Sequence, residues 1–243
     1  MNFVVEKGGI MVILTGDVHG SLGVDKLTKR FFPMKNLTKD DYVIVLGDFG
    51  FIWDVVPSRA EKYWLDFFES RPWTTLFIDG NHENFDRLKE YPVSLWHGGK
   101  VQKIGDSCIH LMRGQVFSLE DMTFFTFGGA ESYDKGRRIE HISWWKDELP
   151  TYAQVDEALE NLERAGNKVD YVLTHTCPRK YIYEIFHSKP TDPTNKALSE
   201  FMHITDFKHW FFGHLHIDKE FDDKFTAVYN EFFQVNKNSW KKI

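Results

Sequence analysis

The stretch Met11-Val-Ile-Leu-Thr-Gly-Asp-Val-His-Gly20 reads as a short strand running straight into a glycine-flanked polar cluster. Its apolar run does not alternate with polar residues, so both faces are expected to be covered. The same arrangement recurs along the chain. Tyr42-Val-Ile-Val-Leu46 leads into Gly47-Asp-Phe-Gly50, and Thr74-Thr-Leu-Phe-Ile78 leads into Gly80-Asn-His-Glu83. Val169-Asp-Tyr-Val-Leu-Thr174 is followed by His175, and His209-Trp-Phe-Phe212 by Gly213-His-Leu-His216. Strands that end this way suit a largely parallel sheet with its ligand sites at the carboxyl edge.

Helical patterns lie between these strands. Ser58 to Ser70 sets Tyr63, Trp64, Phe67 and Phe68 at helical spacing, and Thr151 to Ala165 does the same with Tyr152, Val155, Leu159 and Leu162. Thr151 and Gln154 are spaced as a capping box, and Gly166 is placed to end the second helix. From Val101 to Phe127 the apolar runs Ser107–Leu111, Gln115–Phe117 and Met122–Phe127 follow one another without helical spacers, which predicts antiparallel strands. The segment Phe225 to Val235 reads similarly. The order predicts an α/β fold of two sheets with helices outside. No repeat or Pro/Ser-rich linker divides the sequence, so residues 1–243 are expected to form a single domain.

Composition narrows the field. The 243 residues are 42% hydrophobic and 27% charged, the balance of an ordinary globular protein. The 16% aromatic content is expected to serve the core. A net charge of −6 and a pI near 6.0 weigh against a dedicated nucleic-acid binder, although a local basic groove stays open. Cys108 and Cys177 sit in apolar stretches and read as small buried residues rather than a disulfide framework. Met1 to Met11 carries no signal pattern and no apolar window is long enough to span a bilayer, so a cytoplasmic protein without membrane association is expected.

The five strand-end clusters offer Asp, Asn and His without a thiolate, a donor set suited to Mn, Fe, Zn or Ni. Seven such donors exceed what one catalytic ion with room for water takes. They suit two ions sharing a carboxylate, which can clamp both oxygens of an in-line phosphoryl displacement. Taken singly, Gly-Asp-x-His also fits a turn after a strand, and Gly-His-x-His two unrelated histidines. The ordered combination, each piece at a strand end, is what points to chemistry.

That combination resembles the calcineurin-like metallophosphoesterases, whose pattern is Asp-x-His, Gly-Asp, Gly-Asn-His-Glu/Asp, His, then Gly-His-x-His. All five blocks are present between Asp17 and His216. The resemblance implies a four-layer αββα sandwich, two mixed β-sheets between helices. It implies one metal held by Asp17, His19, Asp48 and His216, and a second held by Asp48, Asn81, His175 and His214, with Asp48 bridging. Two divalent ions are thus expected, Mn first, with Fe, Zn or Ni as alternatives. In the family a metal-bridging hydroxide attacks phosphorus and the histidine of the Asn-His pair, here His82, faces the leaving oxygen. His82 and Asp48 are therefore the expected catalytic residues. A cationic His82 would stabilise the developing charge and protonate the leaving alkoxide. Glu83 has two readings, orienting His82 or opening a helix, and the second is the plainer.

Departures from the family matter too. Protein serine/threonine phosphatases continue the second motif as Gly-Asp-x-Val-Asp-Arg-Gly. Here Gly47-Asp-Phe-Gly-Phe-Ile-Trp-Asp54 lacks that carboxylate and arginine, and Asp54 is wrongly spaced to replace the former. Between the third and fourth blocks, Gly128 to Pro150 carries Arg137 and Arg138, either as part of a solvated loop or as a lid gripping a substrate phosphate. Small phosphoesterases of phages and bacteria are similar in this stretch. Asn81, Arg137 and Arg138 are the expected substrate contacts. His97, His110, His141, His187, His203 and His209 are expected to be structural or surface residues, with His141 nearest the loop, and Cys177 is expected to be packing. The expected substrate is a small phosphomonoester, phosphodiester or nucleotide. A nuclease and a non-catalytic protein-binding scaffold are the alternatives.

Overall fold

Strand residues that are apolar at every position find partners on both sides. In the computed structural model, which describes residues 9–187 and 191–243, successive residues of one strand enter different cores. The elements run β1 (Val12–Thr15), β2 (Tyr42–Val45), α1 (Arg59–Glu69), β3 (Thr74–Phe77), α2 (Phe85–Leu88), β4 (Val93–Trp96), β5 (Gly99–Lys103), β6 (Cys108–Leu111), β7 (Gln115–Leu119) and β8 (Met122–Phe127). They continue with α3 (Tyr152–Arg164), β9 (Lys168–Thr174), α4 (Arg179–Phe186), α5 (Pro193–Ile204), β10 (Asp206–Phe212), β11 (Lys219–Phe221), β12 (Phe225–Ala227), β13 (Phe232–Val235) and β14 (Trp240–Lys242). Residues 1–8, within the Met1–Met11 segment read for a leader, lie outside the described residues. Among those described, no helix is long and apolar enough to cross a membrane.

One sheet has the order β14-β13-β1-β2-β3-β6-β5-β4, the other β11-β12-β10-β9-β8-β7. Both are mixed: β1, β2, β3 and β6 are mutually parallel, as are β8, β9, β10 and β12, with antiparallel strands at the margins. Val12 and Leu14, Tyr42 and Ile44 face inward and meet Phe117, Phe124, Tyr171 and Phe211 of the second sheet. Ile13, Val43 and Val45 point outward to Phe68 of α1 and Leu88 of α2. On the far side Phe125, Phe127 and Trp210 pack against Leu162, Ile182 and Phe201 of α3, α4 and α5. These three cores make the expected αββα layering.

The helix caps follow the sequence. Ser58 accepts from the Glu61 amide, Thr151 and Gln154 form a reciprocal capping box, and Asp192 and Asn195 form another with Pro193 in the first turn of α5. Two expected core contacts fail. Tyr152 is 92% exposed and Tyr63 is 63% exposed, so the buried stripe of α3 is carried by Ala158 and Leu162, and that of α1 centres on Phe68. The antiparallel expectation for 101–127 holds only for neighbouring hairpins. β6 lies parallel to β3 in the first sheet, whereas β7 begins the second sheet after a short turn. β8 is antiparallel to β7 but parallel to β9.

One polar cluster ties the second sheet to the turn before β14. Asp170 on β9 accepts from the Thr123 amide at 2.8 Å and from Lys237 Nζ at 2.9 Å, and pairs with Lys208 Nζ at 2.7 Å. Burial alone would raise its pKa, but the two ammonium groups and the amide override it and hold it at about 2. Its stabilising contribution is therefore complete above the unfolded value near 3.9 and is lost as pH falls through about 2. Denaturant unfolding between about pH 5 and pH 2 should show the advantage of the wild type over Asp170→Asn shrinking toward the acid end. A constant difference across that window would contradict the assignment.

Candidate metal centre and active site

The carboxyl ends of β1, β2, β3, β9 and β10 bring the five clusters together. Ligand atoms of Asp17, His19, Asp48 and His216 all lie within 4.8 Å of one another, as do those of Asp48, His175 and His214. Asp48 belongs to both groups. Nε2 of His19 and of His216 are 2.8 Å apart, and His216 Nε2 is 3.2 Å from Asp17 Oδ2. Asp48 reaches His19 Nε2 through Oδ2 at 3.6 Å and His175 Nε2 through Oδ1 at 3.4 Å. Asn81 Oδ1 lies 3.1 Å from His175 Nε2, so all seven predicted donors meet at one place.

Backbone geometry, more than side-chain rotation, sets these positions. Four of the seven donors have left-handed φ values: His19 at 52°, Asp48 at 44°, His214 at 67° and His216 at 52°. Such conformations cost energy in a residue other than glycine and persist where surrounding contacts over-determine them. Those contacts are visible. The Val18 and His19 amides both donate to the Asp48 carbonyl, at 3.1 and 2.7 Å. The His82 amide donates to Asp48 Oδ1 at 2.7 Å, and the His214 amide to Asp17 Oδ1 at 3.0 Å. Gly80 is required by close approach, since a β-carbon there would run into Asp48 Oδ1 and its amide nitrogen.

The donor chemistry fits divalent cations. Asp17 and Asp48 are 2% and 1% exposed, so two carboxylates are buried among imidazoles. Burial would raise the Asp17 pKa, but the His216 hydrogen bond, the nearby His175 and the His214 amide hold it well below the usual carboxylate range. Burial lowers His19, against the pull of Asp48, and so favours the neutral imidazole that a metal takes. His175 Nδ1 donates to the Leu46 carbonyl at 2.9 Å, which leaves Nε2 with its lone pair toward Asp48 and Asn81. Behind Asp17, Lys26 Nζ donates to the carbonyls of Gly16, Asp17 and Tyr229, and burial brings this ammonium down to about 8.

His82 stands beside this cluster. Its ring lies 5.0 Å from that of His19 and 5.8 Å from that of Trp53. Arg138 Nη1 donates to His82 Nδ1 at 3.2 Å, while Nε of the same guanidinium donates to Asp134 at 2.7 Å. Burial lowers the His82 pKa first, and Arg138 lowers it further against the opposing pull of Asp48. The cationic form expected from the motif is thus disfavoured, and the Arg138 contact places the ring proton on Nε2. Arg137, by contrast, is exposed and does not line the cleft beside His82.

Glu83 performs neither role expected of it. It is fully buried, accepts from the Phe49 amide at 2.7 Å and from the Gly50 amide, and so braces the loop after Asp48. Asn84 caps α2 instead. Burial and the neighbouring Asp48 push Glu83 well above the usual carboxylate range. Asp54 is exposed on the cleft wall, and its carbonyl accepts from Asn84 Nδ2 and Arg87 Nη1.

The 128–150 segment is anchored rather than free. Trp145 is fully buried, donates to Asp86 at 2.7 Å and packs edge-on to Trp53 at 5.5 Å. His141 pairs with the same Asp86 at 2.8 Å. Sequence reading missed Ser132 and Glu148. Asn81 Nδ2 donates to Ser132 Oγ at 3.1 Å, and Ser132 Oγ donates to the buried Glu148 at 2.6 Å. This chain fixes which end of the Asn81 amide faces the donor cluster. Asp79, His110 and Arg113 form a further buried network, with Asp79 3.1 Å from His110 Nε2 and 2.7 Å from Arg113 Nε. His110 is thus structural, as expected. None of these partners carries a motif, because each is defined by a contact across 30 residues or more or by an isolated Ser or Glu.

Ser132→Ala should free the Asn81 amide to turn and weaken metal binding by about 10–100-fold, the usual cost of losing such a supporting partner. Calorimetric titration of metal into wild type and variant measures this. Equal affinities would show that Asn81 is oriented without Ser132.

The calcineurin-like phosphoesterase profile matches residues 10–218, and the chain belongs to that family, whose reaction class is metal-dependent phosphoester hydrolysis. Lariat debranching enzyme A of Xenopus laevis is 26% identical over 234 aligned residues, covering 85% of this chain and 42% of that protein. The chain therefore spans less than half the length of this curated relative. Among solved structures, a phosphopantetheinyl hydrolase of Mycobacterium tuberculosis is 17% identical with a TM-score of 0.49, covering 92% of this chain and 91% of that one.

Proposed function

We propose that this chain is a dinuclear phosphoester hydrolase acting on a small phosphomonoester, phosphodiester or nucleotide. The observation that carries the reading is the sharing of Asp48 between two groups of metal donors. Asp17, His19, Asp48 and His216 would hold one ion, and Asp48, Asn81, His175 and His214 the other. Two such ions, Mn first with Fe, Zn or Ni as alternatives, would acidify water and offset phosphoryl charge when bound. The chain's own part is to hold the donors at fixed spacing and to present His82 Nε2–H to the leaving oxygen. Arg138 sets the His82 tautomer, and together with Asn81 it would hold the phosphoryl group. Arg137, more exposed, would meet only the outer part of a substrate. The whole of residues 1–243 is read as one domain. The buried thiols of Cys108 and Cys177 support a reducing compartment such as the cytoplasm.

A binding scaffold is the weaker reading, since the full donor set is retained. A hydrolysis screen with Mn, Ni, Zn or Mg, over phosphomonoesters, phosphodiesters, nucleotides and single-stranded nucleic acid, tests the proposal. Metal-dependent turnover that a chelator abolishes is expected. Metal-loaded protein that hydrolyses none of them would favour the scaffold.

A further inference from the structure

Next to His82 and His19 opens a cleft of about 470 Å³, within the ~300–1,000 Å³ of small-ligand sites. Its walls are Phe51, Trp53 and Trp64, with Leu22 at 90% exposure among its lining residues. We propose that this cleft seats an uncharged nitrogen heterocycle of the nucleobase type, so that the group departing past His82 is a nucleoside. This deepens the hydrolase reading and rests on it.

The argument is one of shape and charge. Trp53 is only partly buried, and its ring is 5.8 Å from that of His82, so a planar group on this wall lies beside the leaving-group residue. Trp64 is also partly buried, braced by Phe51 at 5.9 Å and Phe67 at 5.4 Å. Rigid aromatic surfaces of this kind reward stacking of a flat ring far more than contact with a flexible aliphatic chain.

A second phosphate is poorly served here. Among the described residues, Arg138 is the only lysine or arginine lining the cleft; its Nε and Nη1 are bonded to Asp134, His82 and the Ser143 carbonyl, and what it keeps for a substrate goes to the reacting phosphoryl group. The other charged lining groups are the carboxylates of Asp54 and Glu61. Glu61 is neutralised by a bidentate contact with Arg87, while Asp54 is exposed. At the amino end of α1, which also opens into the cleft, Ser58 Oγ already accepts from the Glu61 amide. Such walls accept N–H donors from a heterocycle edge and repel a polyanion. The same charges disfavour an extended nucleic-acid backbone, which needs a row of free cations.

The test compares a nucleoside 5′-monophosphate with ribose 5-phosphate, which has the same ester but no base. Wild-type kcat/KM should favour the nucleotide, and Trp64→Ala should cut that ratio by about 5- to 150-fold, the measured range for one base–aromatic stack. Trp64→Phe, which keeps a stacking face, should restore most of the ratio. Adenosine alone should quench tryptophan fluorescence in wild type and bind more weakly to Trp64→Ala. Equal use of the two substrates, or a preference for nucleoside diphosphate or for a single-stranded oligonucleotide over the mononucleotide, overturns the proposal. If no phosphoester turns over, the hydrolase reading fails, and adenosine binding still decides the cleft. Without saturable binding, the base seat is rejected.

Discussion

Asp48→Asn is expected to remove both metals and activity together. The side chain is 2% exposed and faces His19 through one oxygen and His175 through the other. Replacing one oxygen by an amide nitrogen takes away a buried negative charge from two donor groups at once. It also turns an acceptor into a donor, either toward an imidazole or toward the His82 amide, which now donates to Oδ1 at 2.7 Å. Loss of a mere supporting partner costs about 10–100-fold in metal affinity or activity, so this change should exceed ~10²-fold. Elemental analysis after metal reconstitution should find two ions per wild-type chain and fewer than one per variant chain. One ion per wild-type chain at saturation would defeat the dinuclear reading, and wild-type turnover by the variant would defeat the shared role of Asp48.

His82→Ala separates binding from chemistry. The imidazole is adjacent to Asn81 but stands outside both donor groups, on the cleft side. The variant should keep both metals and lose turnover by about 10²–10³-fold, the usual cost of removing a hydrogen-bond donor aimed at a developing oxyanion. The loss should shrink for nitrophenyl esters, whose leaving oxygen needs little help. An equal loss across leaving groups would mean that His82 acts through charge or positioning.

The donor set was legible in the sequence because each donor follows directly from a strand. A run such as Tyr42–Leu46 announces both the sheet and the place where it ends, and Gly-Asp or Gly-Asn-His marks the turn. What surrounds the donors was not legible. Ser132 and Glu148 reach Asn81 only because the 128–150 segment folds back across the end of β3, and no periodicity encodes that return. Glu83 was misread because a carboxylate before α2 resembles a helix cap, yet the neighbouring Asn84 takes the cap and Glu83 turns inward to the loop after Asp48. The placement of β6 and β7 in different sheets was hidden for a similar reason. A short turn between strands permits a hairpin, but Ile109 and Leu111 of β6 and Phe117 and Leu119 of β7 line one shared core from opposite sheets.

The segment from Gly128 to Pro150 touches three separate parts of the site: Ser132 meets Asn81, Arg138 meets His82, and Trp145 meets Trp53. On the proposed reading, metal affinity, proton placement and the shape of the leaving-group cleft would be inherited as one trait. Exchange of this segment for another would shift all three together, so a new substrate range is reached here at the cost of retuning the metals, whereas the outer rim at Leu22 and Asp54 is open to independent change.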